Sequence, residues 1–213
     1  MKAYVFDLDG TLLDSMGVWA QIDVDFLFKR GFEVPPDYID TIFAYSFQEA
    51  AQYTIERFGL TESVEELLRE WYDMAIYAYG HTVTLKPYAL EYLTALKEHG
   101  VKLGIATSLP AVLYQPALRN HHMEGLFDAI ACTDEVAHGK THPDVFYHAA
   151  DKLFVRPCEC MMFEDALEAV KGAKTAGMTV CGVYDESSKA QWEEIKKLAD
   201  CVLYHFKDAP LPA

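Results

Sequence analysis

The sequence lacks any apolar run approaching the roughly 20 residues of a membrane-spanning helix, so no helical membrane contact is expected of its 213 residues. It lacks a basic stripe. The formal net charge is −15 and the sequence pI about 4.8, which argues against a nucleic-acid partner. It lacks a disulfide framework. The five cysteines, Cys132, Cys158, Cys160, Cys181 and Cys201, are odd in number and irregularly spaced. Cys158-x-Cys160 has the wrong spacing for a zinc knuckle and no partner pair. Repeats and low-complexity tracts are absent. The N-terminal residues carry one Lys and then Asp7 and Asp9, which would spoil a signal peptide's apolar stretch. These absences predict a cytoplasmic protein with reduced thiols, and a monomer or weak homo-oligomer is expected. An acidic surface also repels small phosphates. A phosphate site here would need local positive charge from lysine, a metal or both.

What is present falls into two textures. Residues 1–14 and 82–213 alternate short apolar runs with helical patterns. The runs are Ala3–Phe6, Leu103–Ala106, Ala129–Cys132, Cys160–Phe163, Val180–Val183 and Cys201–Tyr204. Helical patterns lie near 88–99, 110–121, 143–153, 166–176 and 187–199, with Ser187 a candidate N-cap. Strands alternating with helices predict an α/β fold, a parallel sheet covered on both faces. Residues 15–81 hold helical patterns only, broken at Gly31, Pro35-Pro36 and Gly59. They predict about four helices inserted after the first strand as a second, smaller domain.

The chemistry is carried by strand ends. Ala3–Phe6 runs into Asp7-Leu8-Asp9-Gly10-Thr11. Period-two geometry would point Asp7 and Asp9 the same way, and Gly10 lets the chain leave the sheet. Ligands bind at the carboxyl ends of strands in open α/β sheets. Two carboxylates so close would repel, and one would hold its proton. A Mg²⁺ ion removes that conflict with hard oxygen ligands. One acid could then attack phosphorus while the other serves as general acid. Later strand ends add Thr107-Ser108, Lys140, and the acid pair Glu164-Asp165 before a helix. Each has an ordinary reading alone: a turn-capping pair, a strand-end Thr, a loop lysine, a helix cap. Their order and spacing together favour a metal-and-phosphate site.

In this order the motifs Asp7-Leu8-Asp9-Gly10-Thr11-Leu12, Ile105-Ala106-Thr107-Ser108, Gly139-Lys140 and Phe163-Glu164-Asp165 resemble the haloacid dehalogenase superfamily over nearly the whole chain. The subgroup most resembled is the β-phosphoglucomutase-like sugar phosphatases, with a helical cap of the first type. The resemblance implies a Rossmann-like core and the following roles. Asp7 is the nucleophile, and Asp9 protonates the leaving group and then activates water. Thr107, Lys140 and the amides of Leu8 and Ser108 hold the phosphoryl group. Mg²⁺ binds Asp7, Asp165 and the Asp9 carbonyl, with Glu164 a ligand or a supporting partner.

The cap is expected to select the substrate. Residues 15–80 hold twelve acids and four bases, Lys29, Arg30, Arg57 and Arg69. Trp19 stands where mutase relatives carry a His, and Tyr45-Ser46-Phe47-Gln48-Glu49 has no Arg. Trp19, Phe47 and Gln48 are therefore the candidate substrate contacts, with packing the ordinary reading of Trp19. The tyrosines of 72–79 read as helix packing. None of the eight histidines has convincing metal-ligand spacing, although His138 and His142 flank Lys140. The expected activity is a phosphatase for a small phosphorylated metabolite, most simply a sugar phosphate, with a nucleotide-derived compound also fitting. A sugar-phosphate mutase and a non-catalytic phospholigand-binding domain are the alternatives.

Overall fold

Ala3–Phe6 (β1) is buried at every position, as a strand covered on both faces requires. The computed structural model describes residues 1–42 and 45–212, the Asp40 side chain excepted. The chain divides into two compact units, Met1–Met16 with Val83–Ala213, and Gly17–Thr82. In the first unit, Leu13–Asp14 (β2) and Thr84–Leu85 (β3) pair as a short antiparallel ribbon. The larger strands are Lys102–Thr107 (β4), Ala129–Cys132 (β5), Cys160–Glu164 (β6), Thr179–Val183 (β7) and Cys201–Leu203 (β8). They form with β1 a parallel six-stranded sheet in the order β5-β4-β1-β6-β7-β8. The chain builds outward from β1 through β4 to β5, then returns to β1's other side as β6. That reversal between β1 and β6 is the topological switch point of the sheet, where ligands bind in such folds.

The second unit is helical: Val18–Lys29 (α1), Tyr38–Ile42 (α2), Phe47–Phe58 (α3) and Val64–His81 (α4). α3 and α4 each begin with a reciprocal capping box, Ser46 with Glu49 and Ser63 with Glu66. Both α1 and α3 pack on α4. Arg30 binds Glu62 and Glu70 with its guanidinium, and Arg57 forks onto Asp37.

The first unit's helices are Ala89–Glu98 (α5), Ala111–Asn120 (α6), Asp144–Lys152 (α7), Leu167–Thr175 (α8) and Trp192–Leu198 (α9). Alternation along β1 sends Ala3 and Val5 to one face, among α7, α8 and α9 residues such as Phe146, Val170 and Ile195. Tyr4 and Phe6 face the other way. There Phe6 stacks on Phe163 at 4.6 Å, and Tyr92 of α5 and Phe206 close the aromatic layer. The stretch expected as one helix over 187–199 is instead a 3-10 turn, Glu186–Gln191, followed by α9. Ser187 is not the cap. Asp185 caps the turn, accepting from the Ser187 amide at 2.8 Å and its hydroxyl at 2.5 Å. The other carboxylate oxygen of Asp185 pairs with Lys86, just after β3.

Candidate active site

The chain turns immediately after β1. The Leu8 carbonyl accepts from the amides of Thr11, Leu12 and Leu13 at 3.2, 2.9 and 2.8 Å, and Gly10 takes φ +74°. A Cβ on Gly10 would lie 2.4 Å from Asp165 Oδ2. The left-handed turn and the close approach both require glycine there. Two hydrogen bonds tie this loop to the end of β6. The Asp7 amide donates to the Phe163 carbonyl at 3.0 Å, and Thr11 Oγ1 donates to Asp165 Oδ1 at 2.9 Å. The two acid pairs therefore meet at the switch point.

Lys140 stands between them, its Nζ 2.6 Å from Asp7 Oδ1 and 2.8 Å from Glu164 Oε2. Burial disfavours its charge, but the two carboxylates outweigh burial and hold its pKa above the ordinary lysine value. Burial is also the largest effect on Glu164 and Asp165, and both carboxyls are pushed up. Lys140 pulls Glu164 partly back, while Glu164 and Asp7 add their repulsion to the burial of Asp165. One oxygen from each of Asp7, Glu164 and Asp165 lies within 4.8 Å of the others. With all three carboxylates ionised, one ammonium leaves two negative charges, which a hard divalent cation would balance. The donor set thus fits such an ion. Glu164 is its least available member. It accepts from Lys140 and from the Asp165 and Ala166 amides at 3.2 and 3.1 Å.

Lys140 is placed by a helix distant in sequence. Gly172 of α8 has no side chain to hold off the lysine's loop, and a Cβ there would lie 2.1 Å from the Lys140 carbonyl oxygen. Gly172→Ala is expected to force that loop outward and lower stability by roughly 1–3 kcal/mol, read as a urea midpoint. An unchanged midpoint would show that the loop has room to yield.

Residues 4–183 match the family model described as haloacid dehalogenase-like hydrolase. The chain belongs to this family. Over 180 residues it is 31% identical to the bifunctional riboflavin kinase/FMN phosphatase of Arabidopsis thaliana, covering 84% of this chain and 47% of that protein. It thus spans about half the length of that relative. It is 26% identical to a phosphorylated carbohydrates phosphatase of Thermotoga maritima, covering 84% of this chain and 82% of that one. The crystal structure of β-phosphoglucomutase from Clostridium difficile shares its fold, with a TM-score of 0.70 at 20% identity over 99% of this chain and 93% of the other.

In this haloacid dehalogenase-like chain, Asp7, Asp9, Thr107, Ser108, Lys140 and the Glu164-Asp165 pair line one cavity of about 300 Å³. Thr107 is buried and its Oγ1 accepts from the Leu109 amide at 3.0 Å, so its hydroxyl hydrogen is left to donate. Leu8 is buried in the turn. Asp9 is half-buried and accepts from Ser15 Oγ at 2.6 Å. Trp19 and Phe47 lie in the helical unit, with ring centroids 5.3 Å apart, and Gln48 is exposed on α3. His138 and His142 stack at 4.5 Å, and His138 Nδ1 lies 3.0 Å from Asp144 Oδ1. The sequence did not reveal three contacts: Thr11 on Asp165, Ser15, which reads as a cap or hinge residue, on Asp9, and Gly172 beneath Lys140. Thr11 stood inside the first motif and could have been found there. Among the described residues no helix is long and apolar enough to cross a membrane.

Proposed function

We propose that the chain is a Mg²⁺-dependent phosphatase for a small monophosphorylated metabolite, a sugar phosphate or a close analogue, acting through an aspartyl phosphate on Asp7. The observation that carries this reading is the Asp7 carboxylate. It sits at the switch point beside a buried lysine, opposite a second acid pair, in a cavity that also holds Thr107 and Ser108. The names of the relatives, an FMN phosphatase and a phosphorylated carbohydrates phosphatase, support it.

Each residue has a step. An Asp7 oxygen bonds to phosphorus as the bond to the ester oxygen breaks. Asp9, oriented by Ser15, gives its proton to that leaving oxygen. Asp9 then takes a proton from water, which attacks phosphorus, releases phosphate and restores Asp7. The Thr107 hydroxyl and the Leu8 and Ser108 amides hold phosphoryl oxygens, and Lys140 balances their charge. Asp7, Asp165 and the Asp9 carbonyl would hold Mg²⁺, while Glu164 steadies Lys140. When bound, the ion supplies positive charge that lets the anionic nucleophile approach the anionic ester.

The helical unit, 15–81, is the cap of the core at 1–14 and 82–213 in this reading. Two of its four bases are already engaged, Arg30 by Glu62 and Glu70, and Arg57 by Asp37. That leaves little positive charge for the second phosphate a mutase must hold, which favours water as the acceptor.

The test is phosphate release from a panel of sugar, polyol and aryl phosphates, with Mg²⁺ and with EDTA. Release that needs the metal is expected for at least one. No release across the panel would favour a binding domain. An isomerised sugar that keeps its phosphate when primed with a bisphosphate would favour the mutase.

A further inference from the structure

We propose that the helical unit carries a binding site for a small protonated amine, formed by the Asp23 carboxylate and a wall of aromatic rings. The site is a cavity of about 330 Å³ between α1, α3 and α4. Trp19 and Asp23 come from α1, four residues apart and so on one helix face. Phe47 comes from α3, Trp71 and Tyr72 from α4, and Tyr45 from the segment before α3. Phe47 is the hub. Its ring centroid lies 5.3 Å from Trp19, 5.4 Å from Trp71 and 5.4 Å from Tyr72.

Two polar groups in this wall lack partners among the described residues. Asp23 is 8% exposed, and no hydrogen bond or ion pair reaches its carboxylate. The Trp71 indole N–H is buried and equally unmatched. A buried carboxylate without a counter-ion is costly, and such groups are ordinarily paired. Here burial alone pushes the carboxyl up to about 7. Tyr38, the titratable neighbour that feels it, is pushed up to about 12 chiefly by burial and stays neutral. Among the described residues no Lys, Arg or His lines the cavity, and Arg30 and Arg57 are held by other acids.

The chemistry of the missing partner follows. An anion meets Asp23 with the wrong sign. A neutral alcohol can hydrogen-bond but leaves the charge unbalanced. An ammonium carrying at least one N–H can donate to the carboxylate while the ring faces attract its charge. The inference stands on the helical unit alone and makes no use of the phosphatase reading.

The test titrates the full chain, without Mg²⁺ or any phosphate ester, at about pH 8, where the carboxyl is ionised. Cyclohexylammonium, cyclohexanol and cyclohexanecarboxylate are compared at constant ionic strength. Two of the three tryptophans, Trp19 and Trp71, line the cavity, so intrinsic fluorescence reports occupancy. The ammonium is expected to give a saturable change at least about tenfold tighter than the alcohol, and the carboxylate none. Asp23→Asn keeps the shape, and should bring the ammonium down to the alcohol's level with an unchanged circular dichroism spectrum. Equal binding of ammonium and alcohol would reduce the cavity to an apolar hole and overturn the proposal. So would an absence of saturation with the ammonium, or a preference that survives in Asp23→Asn.

Discussion

Asp7→Asn is expected to lower phosphate release by about 10³-fold or more, the scale seen when a covalent nucleophile is removed. The substitution keeps the shape and an oxygen that can still accept from Lys140 Nζ, which lies 2.6 Å from Asp7 Oδ1. The fold should therefore survive, as an unchanged circular dichroism spectrum would show. A loss across all substrates marks the nucleophile, because every ester must pass through the same bond from Asp7 to phosphorus whatever its leaving group. Asp9→Asn separates the second role. As the leaving oxygen's proton donor, Asp9 should matter little in the first step for a nitrophenolate that leaves unprotonated, and greatly for a sugar alkoxide, whereas its loss as water's base slows the second step for both. Asp9→Asn should thus keep more of its kcat/KM, which reports the first step, on the aryl ester than on a sugar phosphate. Near-full activity of Asp7→Asn would remove the proposed mechanism altogether.

The sheet was legible because its strands are covered on both faces and so read as continuous apolar runs. Ala3–Phe6 and Ala129–Cys132 appear as strands with the expected bounds. The four helices of the second unit were legible from their 3.6-residue pattern and its Gly and Pro breaks. The β2–β3 ribbon was not, since two-residue strands carry no period. The break of 187–199 into a 3-10 turn and α9 was hidden for another reason. Lys86 engages Asp185 from about a hundred residues away, and no local pattern records that contact. The candidate site divides in the same way. Asp7, Thr107, Lys140 and Asp165 could be singled out because each ends a strand or lies in the chain that follows one, and they line one cavity. Gly172 was not, because its meaning lies in the Lys140 backbone that it admits. Asp23 was passed over as one acid among twelve in an acidic stretch. Only the packed helices show that it is buried without a partner.

Lys140→Met tests the charge balance on which the whole site rests. The lysine side chain is 11% exposed, and its ammonium is shared by Asp7 and Glu164 at 2.6 and 2.8 Å. Its removal leaves Asp7, Glu164 and Asp165 within one oxygen shell and without the cation. Breaking a buried ion pair from one side commonly costs about 3–5 kcal/mol, because the stranded charge stays out of water. In EDTA the variant is expected to lose stability on that scale, read from urea unfolding. Glu164 and Asp165 can soften the loss by taking up protons, since burial already pushes both carboxyls up. Mg²⁺ should then restore more stability to Lys140→Met than it adds to the wild type, because the divalent ion would neutralise acids that the lysine no longer serves. Phosphate release should fall even where the fold is restored, since no ammonium remains to balance the phosphoryl oxygens. A variant as stable as the wild type in EDTA would show that the three carboxylates do not depend on Lys140. A variant that Mg²⁺ does not rescue preferentially would show that the acid cluster is not where the metal acts.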